Sequence, residues 1–241
     1  MQSLRHYVKE GFHDHKSPVY FRFEKVIAIV TIASVLSIVL ESVHSLLFLH
    51  PVFLLIEWSS VLFFTLEYFG RVLTTKRKWH YIFSFWGIVD VLAVLPTYLH
   101  LGNFTFLKSV RILRVLRLVR LLRLIKVIRM YTETIHGVGS EEEANKQNIR
   151  IYFFTLATCI MLSGSVLYAI EHNQPAYENI PKAMLQGAKI LVGGLAISLP
   201  QTIAGEIVVV VIRFIGLALF GLLIAIVGGA LHQLIFGDKK K

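Results

Sequence analysis

The sequence predicts an all-α membrane protein, with a four-helix unit followed by a two-helix unit that carries a re-entrant helix. Three observations predict it. The 241 residues are 55% hydrophobic at a mean hydropathy of +0.65, well above that of a soluble domain. Six apolar runs, at about 26–49, 52–73, 81–101, 107–130, 149–170 and 207–236, are each long enough to cross ~30 Å of hydrocarbon as a helix. A seventh, shorter stretch at 180–199 holds Pro181, Gly187, Gly193, Gly194 and Pro200. That pattern suits a segment that enters the bilayer and returns.

The elements follow in order. Residues 1–24 are a polar lead-in with Arg5, Lys9, Glu10, Asp14 and Lys16, too charged for a signal peptide. Residues 25–130 hold the first four runs. The polar stretch 131–148, with Gly137, Gly139 and Glu141 to Glu143, separates them from 149–241. The link after run two carries Arg71, Lys76, Arg77 and Lys78, and the chain ends in Lys239, Lys240 and Lys241. The links at His44–His50 and at Gly102–Asn103 nearly lack charge. Positive charge stays inside, so a multi-pass protein of the cell membrane with both termini cytoplasmic is expected. Cys159 is alone in an apolar run and reads as a small buried filler.

The net charge of +10 has its main source in the fourth run. Lys108, Arg111, Arg114, Arg117, Arg120, Arg123, Lys126 and Arg129 fall at every third position, with apolar pairs between them. Each charge in a bilayer costs ~2.5 kcal/mol or more. In return it couples to the membrane field at ~2.3 kcal/mol per elementary charge per 100 mV. A nucleic-acid arm or a surface-bound basic helix would need water on that face and no acids buried elsewhere. Acids are present: Glu41 in run one, Glu57 and Glu67 in run two, Asp90 in run three. Intramembrane acids are expensive and usually paired. Glu57 and Glu67 are ten residues apart, about 15 Å along one side of a helix. They suit an outer and an inner cluster serving successive arginines. Phe64 lies three before Glu67 and is placed to plug the water path. Taken singly, Glu41 reads as a helix-end residue and Phe64 as packing. Together with the stripe they predict a voltage sensor and no nucleic-acid partner.

Phe64-Thr65-Leu66-Glu67-Tyr68-Phe69-Gly70-Arg71 resembles the F-T-x-E-x-x-x-R second segment of the voltage-gated potassium channel family. Asp90-Val91-Leu92-Ala93-Val94-Leu95-Pro96 resembles its third segment, and Leu113 to Arg120 its fourth. The resemblance covers about 20–130. It implies a charge-transfer centre at Phe64, Glu67 and Asp90, with Glu57 in the outer cluster. It also implies gating charges at Arg114 to Arg129, and the stripe itself adds Arg111.

The second unit resembles the same family in layout. Ile180-Pro181-x-Ala183 resembles the start of its pore helix, and Pro200-x-Thr202-Ile203 with Gly205 the stretch after its filter. Gly216 falls at the family's inner-helix hinge; close helix packing is the equal alternative. The filter departs. In place of T-V-G-Y-G-D stands Ile190-Leu191-Val192-Gly193-Gly194-Leu195-Ala196-Ile197-Ser198. The loop has no carboxylate, while Lys189 precedes it and Arg213 follows in the last run. Basic rings favour anions, so an anion-conducting or poorly selective pore is expected. The alternative is that Lys189 and Arg213 pair with Glu178 or Glu206 and hold the pore walls together.

The expected protein is therefore a pore-forming subunit of a voltage-gated channel. Its partners are membrane lipid and a permeant small ion, and it works as a homotetramer because one chain supplies too few walls. No cofactor or metal is expected. No nucleophile-base pair or phosphate loop suggests an enzyme. The competing readings are a potassium- or cation-selective channel with an unusual filter, and a sensor-only proton pathway.

Overall fold

The computed structural model describes residues 18–75, 77–101, 119, 121, 124, 141–194 and 198–236. Every regular element among the described residues is helical. The chain divides into two compact units, Met1–Val127 and Ile128–Lys241.

The first unit opens with α1, Pro18–Glu41, whose 24 residues give about 36 Å of helix. It begins ahead of the apolar run, because hydropathy marks where a helix is apolar and not where its backbone bonds start. Thr31 and Ser34, both buried, return their hydroxyls to Ile27 O at 2.7 Å and to Thr31 O at 2.9 Å. Polar side chains are thereby satisfied in an apolar setting.

Reading 26–49 as one span needs correction. The helix ends at Glu41, and Ser42 N and Val43 N bond back to Val39 O and Leu40 O. Such i→i−3 bonds tighten a last turn. A 3₁₀ turn, His44–Leu49, then leads directly into α2, His50–Thr74. Pro51 sits in the first turn of α2, where a missing N–H is no loss.

The run 81–101 is likewise broken. A short α3, Lys78–Ile82, precedes α4, Phe85–Leu101. Ser84 Oγ accepts from Gly87 N at 3.1 Å and satisfies an orphan donor at the start of α4. A Cβ on Gly87 would lie 2.0 Å from Tyr81 O, so only glycine lets α4 press against the end of α3. Ile27, Val61, Phe64 and Val94 form the core of this unit, with Phe23, Val30 and Phe63 packed against it.

The second unit opens with α5, Glu141–Glu171, which starts inside the polar stretch 131–148. After a 3₁₀ turn, Pro175–Tyr177, comes α6, Ile180–Leu191, and then α7, Ile203–Phe236. At 12 residues, α6 is about 18 Å long, too short to cross hydrocarbon. Asn179 caps it through Oδ1, which accepts from Lys182 N at 2.9 Å, and Pro181 fills its first turn.

Gly187 does not interrupt α6. A Cβ there would lie 2.5 Å from Ser163 Oγ, and one on Gly164 would lie 2.4 Å from Met184 Cα. Small residues let α5 and α6 cross at contact distance. The core of this unit gathers Leu167, Tyr177, Ala183, Ile190, Val209 and Ile212. Among the described residues, three stretches are long and apolar enough to cross a membrane: His44–Thr74, Gln147–Glu171 and Ile203–His232.

Candidate functional site

In the first unit, α2 places Phe64 and Glu67 one turn apart on its buried side. Phe64 is fully enclosed and Glu67 is 2% exposed. From α4, Asp90 is buried as well. A buried carboxylate is unfavourable without compensation, and the compensating groups are visible. Arg71 Nη2 lies 2.9 Å from Glu67 Oε1. The Tyr81 hydroxyl, from α3, donates to Asp90 Oδ2 at 2.6 Å. Burial pushes the ionisation of Tyr81 far above the ordinary phenol range, and the Asp90 charge adds to this, so the hydroxyl remains a donor.

Glu57 is half-buried and accepts from Thr97 Oγ1 at 3.2 Å. Glu41 faces His50, Oε1 to Nδ1, at 3.5 Å, at the end of α1. The structure thus brings Phe64 and Glu67 together and buries Asp90 beside the same corner. Glu57 stands two to three turns along α2. The predicted gating charges Arg111, Arg114, Arg117, Arg120, Arg123, Lys126 and Arg129 lie outside the described residues, as does Lys108. Within that run Leu121 and Leu124, two of the apolar gap residues, are buried at 0% and 3% exposure.

In the second unit, the chain turns back immediately after α6. Gly193 has φ +79, a left-handed value that glycine adopts without strain. Gly194 N donates to Lys189 O at 2.7 Å and closes the turn. Val192 is 84% exposed there, whereas Leu191 is buried and Lys189 half-buried. Leu195 lies outside the described residues. Three groups then hold the segment 198–202. The Tyr177 hydroxyl donates to Ser198 O at 2.5 Å. Gln186 Oε1 accepts from Ser198 N at 3.3 Å. Glu171 accepts from Gln201 N at 3.1 Å, Thr202 N at 3.0 Å, the Thr202 hydroxyl, and Gln174 Nε2 at 2.7 Å.

Residues 20–234 match a family described as ion transport protein. The chain belongs to that family. Two relatives narrow the comparison. The potassium voltage-gated channel protein Shal of Drosophila melanogaster is 27% identical over 204 residues, 79% of this chain and 34% of its own. The voltage-gated potassium channel regulatory subunit KCNF1 of Homo sapiens is 25% identical over 146 residues, 56% of this chain and 29% of its own. The chain spans about a third of the length of these curated relatives. The resemblance read from the motifs of the first unit is borne out by them.

For this ion transport protein, several details depart from the sequence reading. Arg71 is not a loop charge, because it lies inside α2 and pairs with Glu67. Its i,i+4 spacing from Glu67 was the available signal. Tyr81 and Glu171 escaped sequence reasoning, since nothing in spacing announces a partner nine or thirty residues away. Glu178 pairs with Lys182, Nζ to Oε2 at 2.5 Å. Glu206 is exposed in the first turn of α7.

Gly216 resolves toward packing: a Cβ there would lie 2.1 Å from Leu191 O, so α7 crosses the end of α6 at backbone contact. Gly221, Gly228 and Gly229 have open space around them. Arg213 and Gly216 line an open cavity of about 720 Å³ whose other walls include Tyr152, Phe153, Val192 and Phe220.

Proposed function

We propose that this ion transport protein is the pore-forming subunit of a voltage-gated channel and works as a homotetramer in a membrane. The observation that carries the proposal is the corner of the first unit. Two carboxylates are held in the interior: Glu67, one turn from the enclosed ring of Phe64, and Asp90, whose Tyr81 partner also lies in the field of Glu67. Buried acids of this kind are expensive and belong with cations that need shelter from lipid. The run 107–130 supplies those cations in sequence, and the burial of Leu121 and Leu124 supports packing of that run on its unit. Depolarisation moves Arg114 to Arg129 outward past Phe64. Residues 131–148 pass the movement to the end of α7 near Gly228–Leu234. Both termini are cytoplasmic in this scheme.

The return turn at Val192–Gly194 and its anchors form the narrow part of the pore. Lys189 and Arg213 carry its positive charge and the loop offers no carboxylate, so anion conduction or weak selectivity is favoured. Reconstitution in asymmetric chloride and potassium gradients tests this. The expected reversal potential follows chloride, or lies between the two equilibrium values. A reversal at the potassium potential establishes the second reading, a cation-selective channel with an unusual filter. That reading is favoured by the likeness to potassium channel subunits. Current that survives deletion of 149–236 would instead establish a sensor-only proton pathway.

A further inference from the structure

The donor to Asp90 comes from α3, a five-residue helix that sequence reading merges with its neighbour. Tyr81 is held there by the same cap and glycine that make the corner between α3 and α4. Its carbonyl oxygen accepts from Ser84 Oγ at 2.6 Å and from Ser84 N at 3.0 Å. Gly87 leaves room for that same oxygen, which a Cβ would approach to 2.0 Å. Its ring stands 6.4 Å from that of Tyr68, tilted by 36°. The hydroxyl then reaches Asp90 Oδ2 at 2.6 Å, a short bond of the charge-assisted kind. The electrostatic surroundings of Tyr81 include Asp90, Arg71 and Glu67, so this residue sits at the junction of the whole cluster.

We infer that Tyr81 is a positioning residue of the sensor, which orients the Asp90 carboxylate and weakens its hold on each basic side chain that passes. This inference rests on the sensor reading above. A carboxylate that already accepts a phenolic hydrogen bond carries less free charge toward a guanidinium. The well that a gating cation enters is therefore shallower, and it leaves sooner. A cluster built only to bind cations tightly would slow the sensor, whereas this one has a built-in competitor.

The test is the decay of gating current in the reconstituted full-length protein. Tyr81→Phe keeps the ring and removes the hydroxyl, and is expected to slow the decay roughly tenfold, the scale of one hydrogen bond to a charged group. Tetrafluorotyrosine at position 81 keeps fold and ring with a more acidic hydroxyl, and is expected to speed the decay. In an Asp90→Asn background Tyr81→Phe is expected to change the rate by less than about twofold, because the effect acts through the carboxylate. Unchanged kinetics in Tyr81→Phe, or an equal change with and without the Asp90 charge, overturns the inference while the sensor stands. A parent protein with no gating current overturns the sensor reading and this inference with it.

Discussion

Both units keep carboxylates buried, yet they use them differently. Glu171 takes its hydrogen bonds from neutral groups: two backbone N–H groups, a hydroxyl and a side-chain amide. It joins the end of α5 to the start of α7 and leaves donors at the α7 N-terminus satisfied. A Cβ on Gly205 would lie 2.3 Å from Glu171 Oε1, so the fit allows no displacement. Glu67 and Asp90 instead meet an arginine and a phenol carried on helices. A carboxylate bound by loop backbone is a fixed joint. One bound by side chains has partners that can be exchanged for a passing cation. The same chemical group thus ties down a loop in one unit and, in the proposed sensor, serves as a relay in the other.

That contrast breaks most visibly at the ion pair. Arg71→Ala removes the ion pair to the buried Glu67, and a loss of about 2–4 kcal/mol is expected in denaturant unfolding of the first unit. Glu171→Ala strands several donors at once, with an expected loss of about 2–4 kcal/mol and a return loop that opens to hydrogen exchange. Gly216→Ala drives a methyl group into Leu191 O, which is expected to lower the melting temperature by the equivalent of about 1–3 kcal/mol. Tyr177→Phe removes one donor to Ser198 O; about 1 kcal/mol is expected, read as faster exchange at the loop. Lys182→Ala removes only an exposed i,i+4 pair, and less than about 0.5 kcal/mol should follow. If Glu171→Ala proved milder than Tyr177→Phe, the fixed-joint description would fail.

The first unit was the more legible of the two. Glu67, Asp90 and Phe64 stand out because charge and aromatic spacing inside apolar runs are improbable without a reason. Segment ends were less legible. Glu41, Ser42, His44 and Ser45 mark the end of the first helix, but the apolar residues 46–49 after them made 26–49 read as one run; the backbone tightening at Ser42 and Val43 is not visible in composition. The corner at Ser84 rests on one cap and one missing Cβ at Gly87, neither of which alters hydropathy. In the second unit the far ends of α5 and α7 and the return turn followed from the apolar runs and paired glycines, while both helices start earlier than their runs. The joints did not, because Glu171 meets Thr202 across 31 positions. Gly187 read as a break, and Gly216 equally as a hinge or a packing contact; both are close contacts in the structure, since sequence shows a glycine's freedom and hides its neighbours.

The account turns on whether charge in the first unit moves with voltage. Gating charge per chain, measured with ion current blocked, addresses this directly in the parent, Arg117→Gln and Arg120→Gln proteins. A voltage-dependent charge movement that falls in each variant is the predicted result. Charge movement that is absent, or equal in all three, would contradict the account.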